Sequence, residues 1–448
     1  MQLLQKSSFT IKFDWRKWAF WLGMLCMFLP ALTSTELLKR VLNLRMRDML
    51  SLICIMCMLV CHVRRGERIK INGFDLLLVG IAAFILRNNY YVSLGNTSAA
   101  MRYMAVFLAV YFLQRRDNWI QTLLTALSFV YIIYALFTIL CYFDRGFYMS
   151  RIVPMFPATA ERLIRWYNEG CMAGIVEHYS INGILLANGI LVHATGILNP
   201  SEHKLLNRTA LFLCVIAMLL TGKRGPLIFV AFAIFVLYFL YQSNQKNVVK
   251  KILQVIGVIM VLVVAVIVLY NYVPQLATFI SRFQETASAG DVTLGRSAYW
   301  NLAFEMFSSN IVFGTGWYRF AEFTIQNLGF STYAHNIYMQ LLAETGIVGT
   351  LLFLAWFISV LTVSIQFFIK ARRGIIVCSE KHLYHMAFSI AMQIFFITYG
   401  ITGNPVYDEL SYVPYFIACA IALYYHNRLV QSRRTVLNPQ VGTVPYKY

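Results

Sequence analysis

Residues 346–369 read GIVGTLLFLAWFISVLTVSIQFFI, an apolar run with no charged side chain. A perpendicular helix needs about 20 such residues to cross a hydrocarbon core. Runs of this kind recur along the chain. Lipid offers the backbone no hydrogen-bond partners, so their repetition reads as a helical membrane protein. The composition agrees: 59% of residues are hydrophobic and 13% charged, with a mean hydropathy of +0.63. Soluble domains carry about twice that share of charge. Just upstream the chain reads Ala334-His335-Asn336, then nine residues, then Gly346-Ile347-Val348-Gly349. A histidine thus stands where a polar loop meets an apolar helix. An imidazole there suits proton transfer near neutral pH, with an ordinary titration near ~6.5. The paired glycines let another backbone pack closely against the helix.

Working outward, the pattern predicts an all-α polytopic protein of about 12 spans. They are placed at 18–33, 49–63, 73–86, 98–114, 119–143, 180–198, 206–221, 225–243, 250–273, 346–369, 382–402 and 410–426. The whole chain, 1–448, reads as one integral membrane domain. The first run follows Lys12, Arg16 and Lys17 without a small-residue cleavage site, and reads as a retained helix. Lys and Arg collect mostly in the segments that an inside N-terminus makes inner, which predicts both termini in the cytoplasm. The net charge of +19 then reflects topology and not nucleic acid. Thr33 and Glu36 have capping-box spacing. With Leu37, Leu38, Val41 and Leu44 they predict a short helix lying on the outer face. Two long outer loops remain, at 144–179 and at 274–335 between spans nine and ten. Within the second, Trp300, Ala303, Phe304 and Phe307 share one face of a predicted helix. Of nine cysteines only Cys171 falls in an outer loop, so no disulfide framework is expected; Cys54 and Cys57 read as packing.

Three segments on the outer side carry candidate chemistry. The turn Thr221-Gly222-Lys223-Arg224-Gly225-Pro226 ends at a helix start, where partial positive charge and the arginine fork suit a diphosphate. Topology alone also accounts for basic residues in such a hairpin, where they stay in water or snorkel to head groups. Arg296, in Leu294-Gly295-Arg296-Ser297-Ala298-Tyr299-Trp300, reads as a second phosphate contact or as a cation on an interfacial helix. His335 is the third. Asn336 is expected to orient it or to cap the helix. Glu344 lies close to the membrane as a partner for an arginine, and Glu177, with His178, stands at the mouth of span six. Arg319, Tyr333, Arg162 and Arg165 could line a path for sugar or phosphate. There is no P-loop, no dinucleotide fingerprint and no DxD-like acidic pair. No catalytic metal and no cofactor are expected.

The His-Asn, nine, Gly, two, Gly spacing resembles the signature of the O-antigen ligase and O-antigen polymerase superfamily. Lys223-Arg224-Gly225 resembles its first arginine motif, and Gly295-Arg296 with the later Phe313-Gly314-Thr315-Gly316 its second. The resemblance covers about 205–350 best. It implies a GT-C-like helical bundle in the bacterial cytoplasmic membrane, with 274–335 as a lid over a lipid-accessible cavity and an extracytoplasmic active site. It implies a metal-independent, inverting glycosyltransferase. The donor would be an undecaprenyl-diphosphate-linked oligosaccharide, with Arg224 and Arg296 on the diphosphate and His335 activating the acceptor hydroxyl. Lys223, Asn336, Glu344, Glu177 and Arg319 would support them. Implied partners are a glycan acceptor, membrane lipid, and flippase and chain-length regulator proteins. The expected activity is a surface-polysaccharide polymerase, with an O-antigen ligase acting on a lipid A core as the alternative. A third reading, a transporter or flippase, would need polar groups scattered at mid-span depth; Asn182, Asn188 and His193 are the few available.

Overall fold

The computed structural model describes residues 14–32, 44–62, 70–87, 94–198, 204–242 and 295–437. Among them every regular element is helical. Leaving aside short turns at Arg145–Phe147, Tyr148–Ile152, Val153–Met155 and Pro405–Tyr407, these are in chain order α1 (Trp15–Leu32), α2 (Leu44–His62), α3 (Gly73–Arg87), α4 (Leu94–Leu113), α5 (Ile120–Phe143), α6 (Ala160–Asn168), α7 (Tyr179–Gly196) and α8 (Lys204–Leu220). Then come α9 (Arg224–Tyr241), α10 (Arg296–Ser309), α11 (Arg319–Leu328), α12 (Ile337–Arg372), α13 (Glu380–Tyr399) and α14 (Glu409–Leu437). Each span drawn from sequence, except 250–273, falls on one of these helices. That span, the first part of the 274–335 loop and the predicted surface helix starting at Thr33 lie outside the described residues.

By length and hydropathy α5, α9 and α12 are apolar enough to cross a membrane. The outward face of α5 shows what such helices present: Phe129, Ile133, Leu136 and Leu140 are exposed at helical spacing. A helix that is apolar on both its inner and outer faces belongs in lipid. The centre of the bundle is α13 and the first turns of α14, buried among α7, α9 and α12. Several polar groups inside it pair across helices, while Asn188 Oδ1, His193 Nε2 and Gln393 Oε1 are buried without a hydrogen-bond partner among the described residues. Gln393 Nε2 donates to Ser364 Oγ at 2.8 Å and Ser389 Oγ at 3.0 Å. Asn188 Nδ2 donates to Leu410 O at 2.9 Å, Asn182 Nδ2 to Thr138 Oγ1 at 2.9 Å, and His193 Nδ1 lies 3.2 Å from Asn207 Oδ1. The polar residues a transporter reading would use are therefore interhelical partners.

Three expectations change in detail. Residues 337–345 are helical, so α12 starts well before the apolar run, and it kinks at Gly346 (φ 64°, ψ −169°). On α10 the buried face holds Ala303 and Met306, while Phe304 is 60% exposed; the 303/306 ridge is what meets α12 and α11. Cys171 is buried, in a satellite core with Tyr148, Phe156, Leu163 and Trp166 that folds the 144–179 segment down onto the bundle.

Candidate active site

The segment around His335 is pinned on both sides. Buried Ala334 donates its N–H to Gln340 Oε1 (3.1 Å) and accepts from Trp300 Nε1 on α10 (3.0 Å). Asn336 Oδ1 accepts the N–H groups of Tyr338 (3.0 Å) and Met339 (3.2 Å) and so caps α12. The Ile337 N–H donates to Gly400 O at 2.9 Å. Between these anchors His335 adopts φ +51°. A non-glycine residue in the left-handed region is uncommon, and it persists only where its surroundings over-determine it. Its half-buried ring lies 6.3 Å from the Tyr299 ring.

The other two segments arrive at the same place. Arg296, the first residue of α10, donates from Nη1 to Thr402 O at 3.1 Å. Gly225, in the first turn of α9, faces Tyr399 and Thr402. Lys223 is the cap residue of α9, and its Nζ lies 5.9 Å from the Tyr179 ring centroid. The turn 399–402, which follows α13, is thus the common floor for all three segments. Its role was missed from the sequence, where it looks like the end of a span. Gly400, Gly403 and Asn404-Pro405 breaking an apolar run were the available signal.

Charge confirms the convergence. Burial, then Arg296 and Lys223, push the His335 imidazole down to about 4. Burial, then Arg296, push Lys223 down to about 8, with Arg224 acting in the same sense. Cations held this close, away from bulk water, favour an anion between them. On the far side of the floor Asp408 is pushed up to about 7, chiefly by burial, with Glu409 and Glu177 adding to it. Glu177 itself is buried.

The remaining candidates stand apart. Glu344 is fully buried and meets no arginine among its hydrogen bonds. Its Oε1 accepts from Phe320 N (3.1 Å) and Gln340 Nε2 (3.1 Å), its Oε2 from Tyr318 N (2.8 Å) and Tyr407 Oη (2.8 Å). It organises the 316–320 turn and does not line the basic cluster. Arg319 pairs with Glu322 on α11 at 2.8 Å. The Phe313–Gly316 turn is clamped into the kink of α12: Gly316 N donates to Glu344 O (2.9 Å), Ile347 N to Ile311 O (2.9 Å) and Val348 N to Val312 O (3.1 Å). A Cβ at Gly346 would lie 2.5 Å from the Val312 carbonyl, and one at Gly314 would run into the backbone of Glu344 and Thr345. The second arginine motif and the glycine motif are therefore two halves of one joint.

Residues 209–354, from the first turns of α8 to the kinked part of α12, match the family model described as O-Antigen ligase. The match supports the resemblance of this segment to the O-antigen ligase and polymerase superfamily. It contains Lys223, Arg224, Arg296, His335, Glu344 and both glycines of the kink; Glu177 and the 399–408 floor lie outside it. No curated protein matches the chain. The O-antigen ligase match and the apolar helices together fit a bacterial inner-membrane enzyme of polysaccharide biosynthesis, acting on a lipid-linked glycan and an acceptor.

Proposed function

We propose that the protein is a membrane glycosyltransferase that polymerises a surface polysaccharide on the outer face of the cytoplasmic membrane. The observation that carries this reading is the convergence of the three segments on the 399–402 turn: Arg296 donates to Thr402 O, Gly225 beside Arg224 faces Tyr399 and Thr402, and Ile337 N, two residues after His335, donates to Gly400 O. Arginines present a fixed fork of donors to phosphoryl oxygens and stay charged throughout. In this reading they hold the diphosphate of an undecaprenyl-diphosphate-linked glycan, and the bundle has twelve spans with both termini cytoplasmic. His335 takes the proton of the acceptor hydroxyl. The oxygen lone pair attacks the anomeric carbon from the side opposite the diphosphate. The carbon–oxygen bond breaks, and its electron pair leaves on the diphosphate, where the cations stabilise the growing charge. The configuration inverts. The positive charge that the leaving group needs comes from side chains, so no metal enters the mechanism.

A second reading, transfer to a lipid A core, is favoured by the description of the matching family itself. Deleting the gene separates the two. Loss of long chains with one repeat still attached identifies a polymerase; loss of all attachment identifies a ligase. Arg224→Ala and Arg296→Ala, tested in the deletion strain at matched protein abundance, should each lower transfer by about 100-fold or more. Near-normal glycan in both would refute the diphosphate site.

A further inference from the structure

The first turn of α7 brings a second histidine to the same cations. His178 is the cap residue of α7: its Nδ1 accepts the backbone N–H of Ser180 at 2.9 Å. A backbone N–H can only donate, so Nδ1 is the acceptor and the ring proton sits on Nε2. Stacking fixes the plane of the ring. Tyr179 lies parallel to it with centroids 4.7 Å apart, and Trp166 of α6 meets it edge-on at 4.3 Å. Lys223 stands over the other end of this group, on the Tyr179 ring, and the Gly183 backbone packs against its side chain. The charged groups facing His178 are Lys223, Arg162 from α6 and Glu177; burial, then Lys223 and Arg162, push the ring down to about 4 against the opposing pull of Glu177, so it is neutral across the physiological range. The result is a neutral imidazole with a fixed tautomer and a fixed plane, presenting one N–H beside the cations.

We propose that His178 is a donor-binding residue, its Nε2–H donating a hydrogen bond to a phosphoryl oxygen of the lipid diphosphate beside Lys223. This rests on the diphosphate reading above and adds a ligand from α7, outside the segment that matches the O-antigen ligase model. It also gives the 144–179 segment a task, since Trp166 of α6 sets the ring in place.

Two substitutions dissect the ring. In His178→Asn the amide oxygen can replace Nδ1 as the cap, but nothing replaces Nε2–H. In His178→Gln the amide nitrogen reaches the Nε2 position and the cap is lost. The full-length protein in nanodiscs is titrated with farnesyl diphosphate, with Arg224→Ala in parallel and thermal melting as the check on folding. His178→Asn should bind about 10-fold more weakly, the scale of a lost hydrogen bond to a charged group, while keeping a wild-type melting temperature. His178→Gln should bind within about threefold of wild type. Wild-type affinity in His178→Asn, with Arg224→Ala weakened, would overturn the His178 assignment and leave the diphosphate site standing. Equal loss in both histidine variants would also overturn it, by making ring stacking the whole role. Wild-type affinity in Arg224→Ala would overturn the diphosphate reading and the His178 assignment with it.

Discussion

A general base that is pushed down to about 4 is neutral at every physiological pH but weakly basic. The ordinary value near ~6.5 expected from sequence does not describe the protein alone, because Arg296 and Lys223 act on His335 together with burial. A diphosphate lying among those cations would cancel their effect and add negative charge, which raises an imidazole pKa. His335 would then become a stronger base as the donor binds. The kinetic sign follows. Activity needs the unprotonated ring, so it falls as pH drops through the pKa. The acid limb of kcat/KM for the donor reports the enzyme without donor and should lie near 4; the limb of kcat reports the loaded enzyme and should lie higher. Coincident limbs in a pH-rate series would rule out donor-coupled activation. His335→Ala should lower transfer by roughly 100- to 10,000-fold with farnesyl diphosphate affinity retained. If the alanine variant keeps its normal polymer profile, His335 is not the base.

At the scale of elements, the kink of α12 holds the site together. Gly346 has φ +64°, and a Cβ there would lie 2.5 Å from the Val312 carbonyl and Gly314 N. An alanine there meets both a strained dihedral and a backbone contact that cannot move away. Gly346→Ala should destabilise the protein by about 2 kcal/mol or more, read as a lowered midpoint of thermal unfolding in detergent. A Cβ at Gly349 would lie 2.4 Å from Thr345 Cβ and 2.9 Å from the Phe84 ring, so Gly349→Ala should also destabilise the protein, through crowding without the strained dihedral. Glu344→Ala should cost on the order of 3 kcal/mol, since it strips partners from the Tyr318 and Phe320 N–H groups and from Gln340 and Tyr407. Equal melting temperatures for wild type and these variants would show that the joint does not carry load. Much of this was legible in the sequence. The apolar runs located the described helices, since hydropathy is a property of each segment alone. The glycine spacing announced a close backbone approach, and Asn336 announced a cap. What approaches Gly346, why Glu344 binds a turn and no arginine, and why Phe304 faces out were not legible. Those depend on which segments meet in three dimensions. The 399–402 floor was hidden for the same reason: the Gly400 and Thr402 carbonyls accept from Ile337 N and Arg296, and no charged side-chain motif records those contacts.

For the whole molecule, proximity constrains topology. Lys223, Arg296 and His335 act on one another and share a floor with Gly225, so the ends of α9, α10, α12 and α13 that carry them lie at one end of the bundle. The 24 residues of α5 span about 36 Å at 1.5 Å per residue, enough to put Arg116 and Asp144 on opposite faces. The end near Arg116 is rich in tied charges: Arg115 with Asp75 at 2.5 Å, and Asp117 with Arg428 and Tyr424. The basic loops of the inner segments belong with that end under the positive-inside rule. The end near Asp144 leads through α6 to His178, and His178 is coupled to Lys223. In the proposed reading the two lines of argument, one from loop charge and one from contacts, predict the candidate site outside and Arg116 inside. Reporter fusions at Arg116 should therefore score as cytoplasmic, and fusions near Arg224, Gln326 and Tyr407 as extracytoplasmic. Opposite scores at Arg224 and Gln326 would separate the arginine turn from the histidine loop and end the single-site reading. Exchanged scores, Arg116 extracytoplasmic and Gln326 cytoplasmic, would instead leave the site intact and turn over the orientation, moving the reaction to the compartment where nucleotide-activated sugars are made.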